Sequence, residues 1–170
     1  IGLYMDMKPA LKKLEKSTAF KNWRQENKDT CFSYAFKIPQ EMPNEWQFGF
    51  YSRKKDKITT FILKNASIDI KPEDDVFKKE EIEVQEIQLG KVKITFEGAI
   101  GKANEFQQKN YPKDKSIKTI VILQNISEFG NIWNITYVTE AFNTLNMKVD
   151  ASNGKVLGHS LSSVFSFRKE

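Results

Sequence analysis

The sequence predicts an α+β protein built from two repeats, each one helix packed on an antiparallel sheet of three to four strands. Three observations carry this. Residues 45–62, "EWQFGFYSRKKDKITTFI", lie over residues 132–149, "IWNITYVTEAFNTLNMKV", at a constant offset of 87. The matched positions (Trp46 with Trp133, Phe48 with Ile135, Phe50 with Tyr137) alternate with the period of two that a strand requires. Each of these hairpins is preceded by a strand candidate and, before that, by a stretch with helical spacing.

The elements follow in chain order. In "PALKKLEKSTAFKNWRQEN", Leu11, Leu14, Ala19 and Trp23 recur at helical spacing, Pro9 suits a first turn, and Ser17 is a place where the helix can split in two. The next strand, "TCFSYAFKI", puts Phe32, Tyr34, Phe36 and Ile38 on one face. After the first hairpin, "KPEDDVFKKEEIEVQEIQLG" opens with charge and reads as a linker, with a boundary near residues 72–80, while "IEVQEIQL" offers an extra strand. The expected units are therefore residues 1–75 and 91–170, with 76–90 between them. In the second unit Phe96, Ala99, Ile100, Ala103 and Phe106 share a helical face, with Thr95 as N-cap and Tyr111-Pro112 as the stop. The strand "SIKTIVILQ" is apolar on both faces, so Ile120 and Ile122, opposite Thr119, Val121 and Leu123, are expected to pack against the sister repeat or to wait for a partner. Face-to-face packing of the repeats is the reading preferred here.

Composition excludes more than it selects. The chain has 170 residues, 27 Lys and Arg against 22 Asp and Glu, and a net charge of +5. The basic clusters "RKKDK" and "LKKLEK" are short and broken by acids, a weak footprint for nucleic acid. A single cysteine, Cys31, forbids an intrachain disulfide. A single histidine, His159, excludes multi-histidine zinc sites and leaves Cys31 with His159 as the one thiol-nucleophile pairing. The carboxylates Glu97, Glu105, Glu140 and Asp150 are scattered, with nothing to fix two at catalytic separation. No catalytic, metal or cofactor-binding residue is assigned, and no cofactor is expected. No apolar run reaches the roughly 18 residues of a membrane helix. A first residue other than Met leaves room for a signal peptide or membrane anchor upstream of residue 1.

The stretch "DASNGKVLG" has the look of a ligand loop and the spacing of none. A calcium loop needs oxygen ligands at alternate positions and a closing acid; here Gly154 stands where a ligand should, and the acid is missing. A phosphate loop needs Gly-x-x-x-x-Gly-Lys followed by Ser or Thr. What remains is Asn153-Gly154 between alternating strands, a tight hairpin turn with Asp150 capping nearby amides.

"KITFEGAIGKA", "IWNITY" and "MKVDASNGKVLG", in that order, resemble the PepSY domain: an opening strand end with an Ala-containing helix, a Trp-bearing strand and a closing Asp-x-x-x-Gly-Lys hairpin. The resemblance spans residues 91–164, and residues 8–71 read as a divergent copy that keeps Trp46 but has "KNASIDIKP" in place of the turn. It implies a cystatin-like fold, a place in the cell envelope outside the cytoplasm, and a non-enzymatic role, binding a protein or peptide and modulating a peptidase or other envelope protein. The structural motif residues are Trp46, Trp133, Asp150, Asn153 and Gly154. The alternatives are a hydrolase with a cleft between the repeats and a basic nucleic-acid-binding module.

Overall fold

In the computed structural model, which describes residues 5–76 and 83–168, the chain runs α1 (Met7–Lys16), α2 (Thr18–Glu26), β1 (Thr30–Lys37), β2 (Trp46–Ser52), β3 (Lys57–Leu63), β4 (Ile68–Asp75), α3 (Phe96–Asn110), β5 (Ser116–Ile126), β6 (Gly130–Thr139), β7 (Asn143–Asp150) and β8 (Val156–Ser163). A 3-10 turn, Leu89–Lys91, precedes α3, and another, Val164–Arg168, follows β8.

Ser17 decides the shape of the first helical segment. Its extended backbone ends α1, while its hydroxyl accepts from the Phe20 amide and so caps α2; the cap satisfies a donor that a helix start otherwise leaves orphaned. The restart shifts the helical phase. Phe20, not the expected Ala19, points inward beside Leu11 and Leu14. In α3, Thr95 caps Gly98, Phe96, Ala99 and Ala103 are buried, and Tyr111 stands at the C-cap. Asp6 caps nothing in its own helix; its Oδ1 accepts from the Phe96 amide at 3.0 Å, tying the start of α3 to that of α1.

The eight strands form one sheet in the order β4-β3-β2-β1-β5-β6-β7-β8, antiparallel throughout. This corrects the expected fold class of two repeats, each with its own small sheet and one helix. Strands β1 and β5 hydrogen-bond edge to edge, Ala35 opposite Leu123 and Phe36 opposite Ile122, and three helices serve the common sheet. The face-to-face stacking preferred above does not occur. Alternation reports which face of a strand is apolar; it is silent on which edges pair. Joining β1 to β5 satisfies two rows of backbone groups and fuses two apolar faces into one core.

That core lies between the helices and one face of the sheet. Trp46, Phe48, Phe61, Val121, Leu123, Trp133, Ile135, Tyr137, Leu145 and Met147 fill it, and burying a side chain such as Phe48 stabilises by roughly 1.5–3 kcal/mol. The two tryptophans have matching surroundings. Trp46 Nε1 donates to the Met5 carbonyl ahead of α1, and Trp133 Nε1 to the Ile94 carbonyl ahead of α3. Their rings lie 6.5 Å apart, with Phe96 edge-on to both.

Two further expectations shift. A β-bulge lies between Phe32 and Tyr34, so Phe32 joins the core while Tyr34 and Phe36 turn to the opposite face; the extra residue reverses the alternation that placed all three together. The charged stretch from Lys71, where the boundary near residues 72–80 was expected, continues β4 as far as Asp75. The segment 83–88 forms no strand: it crosses the end of the sheet, its Ile87 amide bonded to the Phe32 carbonyl and its Gln88 amide to Asn131. Residue 82, where that expected strand begins, lies outside the described residues.

Candidate functional site

The turn "DASNGK" is tied to α3 rather than to a ligand. Asp150 Oδ1 accepts from both the amide and the hydroxyl of Ser152, Asn153 Oδ1 accepts from the Lys155 amide, and the Gly154 amide returns to the Asp150 carbonyl. Gly154 takes φ of +80° and Asn153 does not take a positive φ, so the hairpin is longer than a two-residue Asn-Gly turn. Between them the Ala151 carbonyl accepts from the amides of Lys93 and Ile94, which fixes the approach to α3.

The remaining sequence candidates are dispersed. Cys31 is on β1 and His159 on β8, four strand spacings apart in the sheet, about 19 Å. The structure does not bring them together. Burial pushes the Cys31 thiol above its ordinary pKa, away from thiolate chemistry. His159 Nδ1 instead pairs with the Tyr111 hydroxyl at 2.6 Å, its ring against Phe106. The basic cluster 53–57 is met by acids: Arg53 by Glu83, Lys55 by Glu73 and Lys57 by Asp75.

Ile120 and Ile122 lie half-buried on the face of the sheet away from the helices. There the sheet forms the floor of a cleft of about 890 Å³. Phe36, Ile58, Ile122 and Ile126 make its apolar surface, and Gln47, Gln124, Ser33 and Thr60 supply amides and hydroxyls. Residues 71–76 form one wall, bringing Glu73, Asp74 and Asp75 to the rim; residues 83–85 and 125–127 contribute to the lining too.

Tyr34 and Gly49 shape the floor. A Cβ on Gly49 would stand 1.9 Å from the Tyr34 ring, so only glycine lets that ring lie across β2. The hydroxyl then reaches Thr60 Oγ1 on β3 at 2.6 Å. Burial raises the Tyr34 pKa, with the Thr60 hydrogen bond opposing it. Tyr34 is thus held as a neutral phenol, a group suited to binding.

On the helix side, Lys37 carries the most perturbed amine. Its Nζ donates to the carbonyls of Pro43 and Glu45 and sits 4.9 Å above the Trp46 ring. Burial lowers its pKa to about 8 against the opposing pull of Glu45. Its contacts brace the 38–45 loop against the core.

Sequence reasoning passed over Tyr34, Phe36, Gly49 and Gln124. One signal was present: a glycine inside the aromatic strand "WQFGFY" marks a close approach.

No family model and no curated protein matches the chain. Among solved structures it is similar to a crystal structure from Clostridium difficile 630 described as a "putative lipoprotein". The likeness has a TM-score of 0.55 and 14% identity, over 85% of this chain and 90% of that one. At that identity it is a likeness of fold. Among the described residues no helix is long and apolar enough to cross a membrane.

Proposed function

We propose that this chain is a non-enzymatic binding module of the cell envelope that takes a protein or peptide segment into the cleft on the helix-free face of its sheet. The observation that carries the reading is the cleft itself, whose apolar floor is interspersed with amide and hydroxyl groups. An extended peptide needs both kinds of contact, and pockets of this size and mixture are where binding concentrates. The envelope location draws on the PepSY resemblance and on the description of the structurally similar protein as a "putative lipoprotein". Modulation of a peptidase is the role that resemblance implies.

The test is selection from a random peptide display library on the immobilised protein. Enriched peptides should carry apolar residues, and should lose binding to Ile122→Asp and Phe36→Asp while keeping it to Ile117→Asp, an exposed position outside the cleft lining. Peptides that bind all three variants equally would sink the proposal.

A further inference from the structure

The helical layer is charged unevenly. Six side chains of α1 are exposed, and four of them are lysines: Lys8, Lys12, Lys13 and Lys16, beside Pro9 and Glu15. Lys21 continues the series on α2. Lys8, Lys12 and Lys16 stand four residues apart on the side of α1 away from the buried Met7, Ala10, Leu11 and Leu14. Among the described residues Lys8, Lys12, Lys16 and Lys21 form no salt bridge.

The arrangement works against the helix that carries it. Like charges four residues apart on a helix repel. Lys8 stands in a first turn that has no acid, where the helix dipole disfavours a cation, and the N-cap Asp6 gives its carboxylate to the start of α3 instead. Lys13 and Lys16, in the last turn, do sit where the dipole favours them. Helix α3 shows the ordinary solvated alternative. Its exposed side carries Glu97 and Glu105 with Lys102 and Lys109, both signs interspersed and Lys102 paired with Glu105.

What accompanies the lysines narrows the partner. A protein interface is centred on large apolar or aromatic anchors, and a single-stranded nucleic acid stacks on aromatic platforms. No large apolar side chain of α1 or α2 is exposed. Met5, just ahead of α1, is the nearest along the chain, and the Trp23 ring packs against Phe20, Phe50 and Phe61. Lysines without such anchors recognise charge alone, and a continuous plane of negative charge is what an anionic lipid surface offers them.

We infer that α1 docks the protein on an anionic lipid surface, with Lys8, Lys12 and Lys16 against the headgroups. The choice of a membrane over a duplex nucleic acid, whose phosphates also attract lysines, rests on the envelope location proposed above. The helices and the cleft occupy opposite faces of the sheet. Docking through α1 therefore turns the cleft away from the membrane, open to a segment arriving from solvent.

Vesicle co-sedimentation of the whole chain at low ionic strength tests this. The wild type should bind vesicles of phosphatidylglycerol mixed with phosphatidylcholine, ignore phosphatidylcholine alone, and come off as salt is raised. The triple variant Lys8→Gln, Lys12→Gln, Lys16→Gln should bind about a hundredfold more weakly, several-fold for each lysine, while arginine at the same three positions should keep the affinity. Lys54→Gln, Lys55→Gln, Lys148→Gln removes the same net charge from the β2–β3 turn and the helix-free face, and should stay within a few-fold of wild type. Circular dichroism checks that each variant is folded; if the α1 triple is not, Lys12→Gln alone, with a several-fold loss, replaces it. Four results would each overturn the inference: no binding to the anionic vesicles, equal binding to neutral ones, an equal loss in the two glutamine triples, or duplex DNA bound more tightly than the vesicles. Display peptides that bind the cleft while the vesicles do not bind would sink this inference and leave the cleft reading standing.

Discussion

Single residues set the tolerance of this fold. Gly49 has the Tyr34 ring where its side chain would be, so Gly49→Ala should displace that ring, lower stability by about 1–3 kcal/mol and break the bond to Thr60. A urea titration together with tyrosine fluorescence checks both, and an unchanged midpoint would refute the packing. Gly154→Val meets a positive φ and the Lys102 side chain at 3.3 Å, and should cost about 1 kcal/mol or more. Added calcium should leave the melting temperature unchanged, because Asp150 Oδ1 and Asn153 Oδ1 accept from turn amides and Gly154 stands where a further ligand would be needed. Lys37 predicts a pH effect. Its folded pKa of about 8 lies below the ordinary 10.5, so between those values the unfolded chain binds the proton and the folded chain does not. Stability from this group therefore rises with pH from about 8 towards 10. Above that, Tyr137, pushed up to about 12 from 10 by burial, works in the opposite sense. Denaturation midpoints of wild type and Lys37→Met should diverge across pH 8–10; parallel profiles would contradict the buried amine.

At the scale of the element, the bulge in β1 creates the cleft. Without the extra residue at Ser33, Tyr34 and Phe36 would lie in phase with Phe32 in the core. With it, they floor the open face beside Ile122. A strand apolar on both sides is thus half core and half binding surface. Ile122→Asp should accordingly leave the circular dichroism spectrum native and cost only about 1 kcal/mol in a thermal melt, because among the described residues no helix and no second sheet covers that position. Global unfolding of this variant would show that the face is packed after all. The helices were legible for a local reason: a cap such as Thr95, or a break such as Ser17, acts within three residues, so its signal lies in a short window of sequence. The bulge was not, because "TCFSYAF" alternates equally well with or without it.

For the whole molecule, the β1–β5 seam removes the independence that two separate sheets would have had. Trp46, Phe96 and Trp133 come from the two halves of the chain and pack at one point, and Asp6 bonds across to Phe96. The chain should therefore unfold in a single cooperative step, with calorimetric and van't Hoff enthalpies in agreement. Two resolved transitions would mean that the seam is weaker than its pairing indicates.

The sequence by itself determined the helical segments with the Thr95 cap and the break at Ser17, the strands of both hairpins, a turn at Gly154 and the burial of both tryptophans, because each depends on contacts within a few residues or on simple alternation. Only the tertiary structure decided that the two sets of strands make one sheet, that Ile122 lies on the face away from the helices, and that Cys31 and His159 lie far apart. These are matters of edge pairing and strand order. Backbone groups are the same at every residue, so the edge a strand will pair with leaves little trace in its side chains.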